Sequence, residues 1–154
     1  MKHSQPNILW ITLDSVRAVH TSLHGYHRDT TLELSRIAGS ADGDNFEHGI
    51  AHSTRTPVSV PSMLTGLYPS SHQMIGTQSG HTLPEIMKTA PELLAEQGYR
   101  TIAVSDNSYA GEAKGLDERF DEFCDGRTGF GDILNTYEGD RFKIPLPNLD
   151  SSRH

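Results

Sequence analysis

Cysteine is almost absent. Cys124 is the only one in 154 residues, so no disulfide forms within the chain and no cysteine zinc site exists. It follows Phe120 and Phe123 in an acidic stretch and reads as a small packed hydrophobe, not a nucleophile. An excess of positive charge is also missing: 13 Lys and Arg stand against 20 Asp and Glu, for a formal charge of -7. That balance excludes nucleic acid as the main partner, because a phosphate backbone needs a concentrated positive face. The apolar run near the N-terminus, Ile8 to Leu13, is far short of a membrane span. It also lacks the h-region and small-residue cleavage site of a signal peptide. The expectation is a cytoplasmic chain with no membrane partner.

What is present suffices for one domain. Hydrophobic residues make up 34% and mean hydropathy is -0.51, low for a globular domain but outside the disordered range. Nine histidines are scattered at no single spacing, which makes most of them surface residues. Ile8–Leu13 is continuous, apolar and rich in β-branched residues, as in a strand buried on both faces of a parallel sheet. Asp14 ends it, where open α/β sheets place ligand chemistry. Thr30 through Glu33 has the pattern of a capping box, opening a short helix whose stripe is Leu32, Leu34 and Ile37. Residues 46–52 suggest a second strand.

Thr56 and Pro57 then read as the N-cap and first residue of a helix that stops at Gly66. Pro61 lies near enough to its start to be tolerated. Residues 73–82 are loop. Residues 84–97 have a helical pattern, broken before Pro91 and closed by Gly98. Residues 99–104 form a further strand, followed by Ser105-Asp106-Asn107. Strand, helix, helix, strand is the order of a doubly wound sheet.

Three sites carry chemistry in that order: Asp14, Thr56, and Asp106-Asn107. Each has an ordinary reading beside the functional one. Asp at a strand end is a common turn residue, and Thr before Pro is a common helix cap. A hydroxyl at a helix N-terminus, however, lies in the positive end of the macrodipole, among backbone N–H groups with no helical partner. That environment favours an alkoxide and an anionic ester. A divalent cation held by Asp14 would lower the hydroxyl pKa further. His72 either reaches such a site or is an exposed loop histidine, the reading preferred here. Arg17 either neutralises an anion near Asp14 or pairs with it.

The order of these segments resembles the sulfatase family. Pro6-Asn7-Ile8-Leu9 through Leu13-Asp14-Ser15-Val16-Arg17 is similar to its opening strand and metal-binding carboxylates. His24-Gly25-Tyr26 with Arg28-Asp29-Thr30-Thr31 resembles its next segment, and residues 62–72 resemble the stretch after its nucleophile. Gly98-Tyr99-Arg100-Thr101 and Gly115-Leu116-Asp117-Glu118-Arg119-Phe120-Asp121 are similar to its Gly-Tyr-x-Thr and Gly-Phe-Asp segments.

The resemblance implies an α/β fold: the N-terminal part of a doubly wound, mostly parallel sheet flanked by helices, alkaline-phosphatase-like and incomplete. It implies a sulfatase-like region over 1–125 and a weakly patterned tail over 126–154. It implies metal-dependent hydrolysis or transfer of sulfate or phosphate esters, with the isolated chain inactive. The alternative is a catalytically inactive remnant or an anion-binding module. Thr56 takes the nucleophile position and, with Asp14, the metal; His72, Asn107 and Tyr109 face a small anionic ester. The divalent ion is not distinguished among Ca, Mn, Mg and Zn, and a missing C-terminal portion is expected to supply its other ligands.

Departures from the family are specific. Sulfatases oxidise a cysteine to formylglycine, but here that position is Thr56, so no formylglycine forms. A threonine there resembles the phosphoethanolamine-transferase branch. The family's arginine position is Val60, its second aspartate is Ser15, and its Lys and His after the third strand are replaced by Asn107 and Tyr109.

Overall fold

A computed structural model describes residues 5–76 and 81–126. The chain divides into two compact units, Met1–Ile50 and Ala51–His154. The tail expected at 126–154 lies, from residue 127 onward, outside the described residues.

The first unit is a set of hydrogen-bonded turns with one short helix, α1 (Leu32–Ala38). The strand expected at residues 8–13 does not form. Leu9 is 83% exposed, and Ile8, Trp10, Ile11 and Leu13 are exposed with it. The reason is a missing partner. A strand must pair its N–H and C=O groups, and a wholly apolar one needs cover on both faces. No other segment among the described residues supplies either. Residues 46–52 likewise form no strand, and Phe46 and Ile50 are exposed.

Polar bonds hold this unit instead. Two 3-10 turns, Ala18–His20 and Ser22–His24, flank buried Thr21. The Thr21 hydroxyl donates to the Ala18 carbonyl at 2.8 Å. Ser22 and Thr31 exchange bonds, each backbone N–H donating to the other's hydroxyl, at 2.9 and 3.2 Å. This exchange displaces the expected capping box. The N-cap of α1 is Thr31, whose hydroxyl is engaged with Ser22, while Thr30 donates to the His20 carbonyl and Glu33 pairs with Arg36.

The second unit contains α2 (Thr56–Thr65), α3 (Pro69–His72), α4 (Ala90–Glu96), β1 (Ile102–Ser105) and β2 (Glu122–Asp125). β1 and β2 are parallel, with Ile102 opposite Glu122 and Ser105 opposite Asp125. Their crossover is three short 3-10 turns, at Ser108–Ala110, Glu112–Lys114 and Asp117–Arg119. Gly111 sits between the first two because the Phe123 ring lies 2.5 Å from where a Cβ would be. A parallel α/β arrangement with helices is thus present, reduced to two strands among the described residues.

The helix expected at 84–97 is shorter than its pattern. Thr89 caps α4, and the Glu92 carboxylate accepts from its N–H at 2.9 Å and its hydroxyl at 2.8 Å. These bonds fix the start at Ala90, leaving Pro84 to Met87 as a single turn.

A small core of Met74, Leu83 and Leu116 takes Val60, Leu64 and Met87 against it. Two cations are buried in this unit. The Lys114 ammonium donates to the Gly76 and His81 carbonyls. The Arg119 guanidinium donates to the Leu83 carbonyl at 2.8 Å and to Glu92 at 3.1 Å. Burial of these charges is tolerated because each is hydrogen-bonded.

Candidate functional site

α2 presents the candidate nucleophile. Its N-cap is Arg55, in extended backbone, so Thr56 is the first helical residue and not the cap as expected. Pro57, Val58, Pro61 and Ser62 are buried, which fixes the helix by one face, and Gly66 in the left-handed region (φ 70°) ends it. Thr56 is half-buried, and among the described residues its hydroxyl has no hydrogen-bond partner.

The helix N-terminus is poorer in donors than its sequence suggests. The Val58 and Ser59 N–H groups both donate to the Arg55 carbonyl, at 3.1 and 3.0 Å, and Pro57 has none. Little backbone remains to cradle an anion. The Arg55 side chain, on the N-cap residue, is exposed and forms no ion pair among the described residues. Sequence reasoning passed over Arg55, although its position directly before Thr56 was legible.

Asp14 belongs to the first unit and is exposed in a turn. Ser15, next to it, has φ 58°, an uncommon conformation for a residue with a Cβ, and its hydroxyl donates to Asp14 Oδ1 at 3.3 Å. Strain of this kind concentrates at functional turns. Arg17 makes no ion pair with Asp14 among the described residues.

Asn107 and Tyr109 lie where β1 ends. Asn107 Oδ1 accepts from the Tyr109 N–H at 3.0 Å and so caps the Ser108–Ala110 turn, against which α2 packs. Asp106, Asn107, Glu112 and Asp125 line a cavity of about 20 Å³ at the carboxyl end of the two strands. That space holds about one water. Its three carboxylates make it a poor seat for an anion.

His72 is the clearest correction. It was expected as an exposed loop residue, and it is fully buried at the end of α3. Its Nε2 lies 2.7 Å from the Ser62 hydroxyl, and its Nδ1 accepts from the Met74 N–H at 3.0 Å. Both nitrogens are in use, which leaves none for a substrate. The signal that could have revealed this is its register: ten residues after Ser62, beyond a helix stop and a proline that turn the chain back.

Among the described residues, no group of three or more His, Cys, Asp or Glu is arranged to hold a metal ion. A divalent ion needs several such oxygens or nitrogens, so these residues do not by themselves make the expected site. No described helix is long and apolar enough to cross a membrane.

Comparison with known proteins agrees with the order of motifs. N-acetylgalactosamine-6-O-sulfatase from Bacteroides thetaiotaomicron is 29% identical over 103 residues. The matched stretch is 65% of this chain and spans 20% of that protein's length. No solved structure matches the chain. A sulfatase family profile matches residues 6–143, nearly the whole chain. On that match, the chain belongs to the sulfatase family.

Proposed function

We propose that this chain carries the nucleophile of an enzyme that hydrolyses sulfate esters, or transfers their sulfuryl group, with Thr56 as that nucleophile. The observation that carries the reading is the Thr56 hydroxyl: half-buried, unengaged, and first in a ten-residue helix. Family membership favours sulfur as the electrophile, while an unmodified threonine is equally suited to phosphorus.

In the proposed step, Thr56 Oγ bonds to the sulfur or phosphorus as the bond to the ester oxygen breaks. The hydroxyl proton passes to solvent, and the departing oxygen takes one back. Water then cleaves the covalent ester on Thr56 and restores the hydroxyl. Charge on the transferred group is met by the α2 dipole and by the guanidinium of Arg55, the residue before Thr56. Asn107 and Tyr109 contribute hydrogen bonds without charge. Asp14 is proposed as one carboxylate of a divalent metal site whose remaining ligands lie outside those described here. When bound, such an ion supplies charge stabilisation.

Labelling tests this without requiring turnover. The full chain is incubated with an aryl sulfate or an aryl phosphodiester, with and without divalent cations, and digested for mass spectrometry. A sulfo or phospho adduct on Thr56, absent from Thr56→Ala and retained in Thr56→Ser, is the expected result. An adduct elsewhere, or one that survives Thr56→Ala, overturns the assignment.

A further inference from the structure

We propose that His72 is a pH-sensitive latch: neutral and protonated on Nε2, it ties α2 to the segment that follows α3, and acidification releases it. The tie is a directed relay. The Met74 N–H points at His72 Nδ1, which must therefore present a lone pair. The ring proton is then on Nε2 and is donated to the Ser62 hydroxyl. Ser62 in turn donates to the Val58 carbonyl, one helical turn back, at 3.3 Å. Met74, His72, Ser62 and Val58 are all buried, so water cannot replace a lost bond. This polarity also makes Ser62 a relay and not a nucleophile, since the ring gives it a proton and takes none.

A second proton is poorly accommodated. Placed on Nδ1, it would face the Met74 N–H, donor against donor. The surroundings offer too little compensation: the ring's own backbone carbonyl favours the charged form, but burial and His52, which acts on the ring as a like charge, outweigh it. The groups that act on the ring are the Ser62 hydroxyl, the Met74 N–H, that backbone carbonyl and His52. No described carboxylate acts on it. Burial first, and His52 second, hold the ring below the ordinary histidine range.

The linkage has a definite sign. The unfolded chain takes up a proton at this histidine near pH 6.5, while the folded chain resists it. Stability is complete above that pH and is lost as pH falls below it. Within the window, the folded-to-unfolded ratio drops by up to about tenfold per pH unit from this one group. Loosening would act on Val58 and Ser62, and hence on the helix that presents Thr56. The latch stands whether or not Thr56 is the nucleophile.

Two measurements on the full chain test it. Long-range ¹⁵N NMR of the imidazoles should show His72 with Nε2 protonated and Nδ1 bare, and titrating below the ordinary histidine range. Protonated Nδ1, or titration at the ordinary histidine pKa, overturns the proposal. Urea midpoints from about pH 8 to about pH 5.5 should fall less steeply in His72→Asn, whose amide oxygen can still accept from Met74 without titrating. An unchanged slope in that variant also overturns it. Should the variant not fold, the NMR result on the native chain decides alone.

Discussion

The two units of this chain solve the same problem by different means. Among the described residues, the Ala51–His154 unit holds every buried hydrophobic side chain, Val58, Met74, Leu83 and Leu116. Among the described residues, the Met1–Ile50 unit buries only Thr21 and leaves Leu9, Phe46 and Ile50 more than 80% exposed. One is shaped by apolar burial with buried charges locked into it. The other is shaped by a knot of Ser and Thr hydroxyls. Hydrogen bonds of that kind fix a local backbone path, but each adds only about 1 kcal/mol net. Ile8–Leu13 has the composition of an interior strand, yet among its described residues the first unit buries no hydrophobic side chain.

The contrast predicts its largest effect at Leu116, fully buried against Met74 and Leu83. Leu116→Ala should cost about 2–5 kcal/mol, from lost burial and the cavity left behind. Leu34→Ala in α1, where the side chain is 41% exposed, should stay within about 0.5 kcal/mol. Urea unfolding of both variants measures the difference. Equal losses would mean that the first unit has a core these residues do not show.

A smaller effect is expected from acid at Glu92. Burial by itself pushes this carboxyl up, but the Thr89 N–H and hydroxyl, with Arg119, outweigh burial and hold it below the ordinary Glu range. A depressed carboxyl contributes stability above its unfolded pKa of about 4.3, and loses it as pH falls through the folded value. The native chain should therefore weaken between about pH 4.5 and the folded pKa, while Glu92→Gln starts weaker at neutral pH and changes less over that window. Urea midpoints at about pH 7 and about pH 3.5 read this directly. A parallel loss in both proteins would remove Glu92 from the acid response.

Motifs were legible where local chemistry decides structure, and illegible where distant partners do. Gly66 ended its helix because a left-handed cap depends on one residue. Gly98 lies just past α4 with φ 86°, for the same reason. Residues 99–104 gave a strand displaced by a few positions because β2 is at hand to pair with it. Residues 8–13 carried the stronger strand pattern and formed none, since periodicity records what a segment could bury and not whether a partner is present. The capping box was expected at Thr30–Glu33, yet its Glu-to-cap bonds occur at Thr89–Glu92. Both stretches have the same spacing; Ser22 captures Thr31 in one, and nothing competes in the other. Thr56 was singled out by type and place, whereas the burial of His72 depends on contacts with residues as far as ten positions away. Lys114 and Arg119 are held by partners, Gly76 and Leu83, that lie far back in the chain.

The finest comparison lies inside the first unit, between its buried knot and its exposed helix pair. Ser22→Ala removes the hydroxyl that accepts from the Thr31 N–H, and should cost about 1 kcal/mol because the knot is partly shielded from water. Glu33→Ala removes an ion pair to Arg36 in which both side chains are more than 70% exposed. Solvent screening and side-chain entropy reduce such a pair to a few tenths of a kcal/mol at most. Amide hydrogen exchange separates the two more cleanly than global unfolding, since a unit with few buried apolar contacts opens locally. Ser22→Ala should accelerate exchange at His24, Gly25 and Tyr26, whose N–H groups close the turns around Thr21. Glu33→Ala should leave those amides unchanged. If both substitutions accelerate them alike, the knot is not what holds the first unit together.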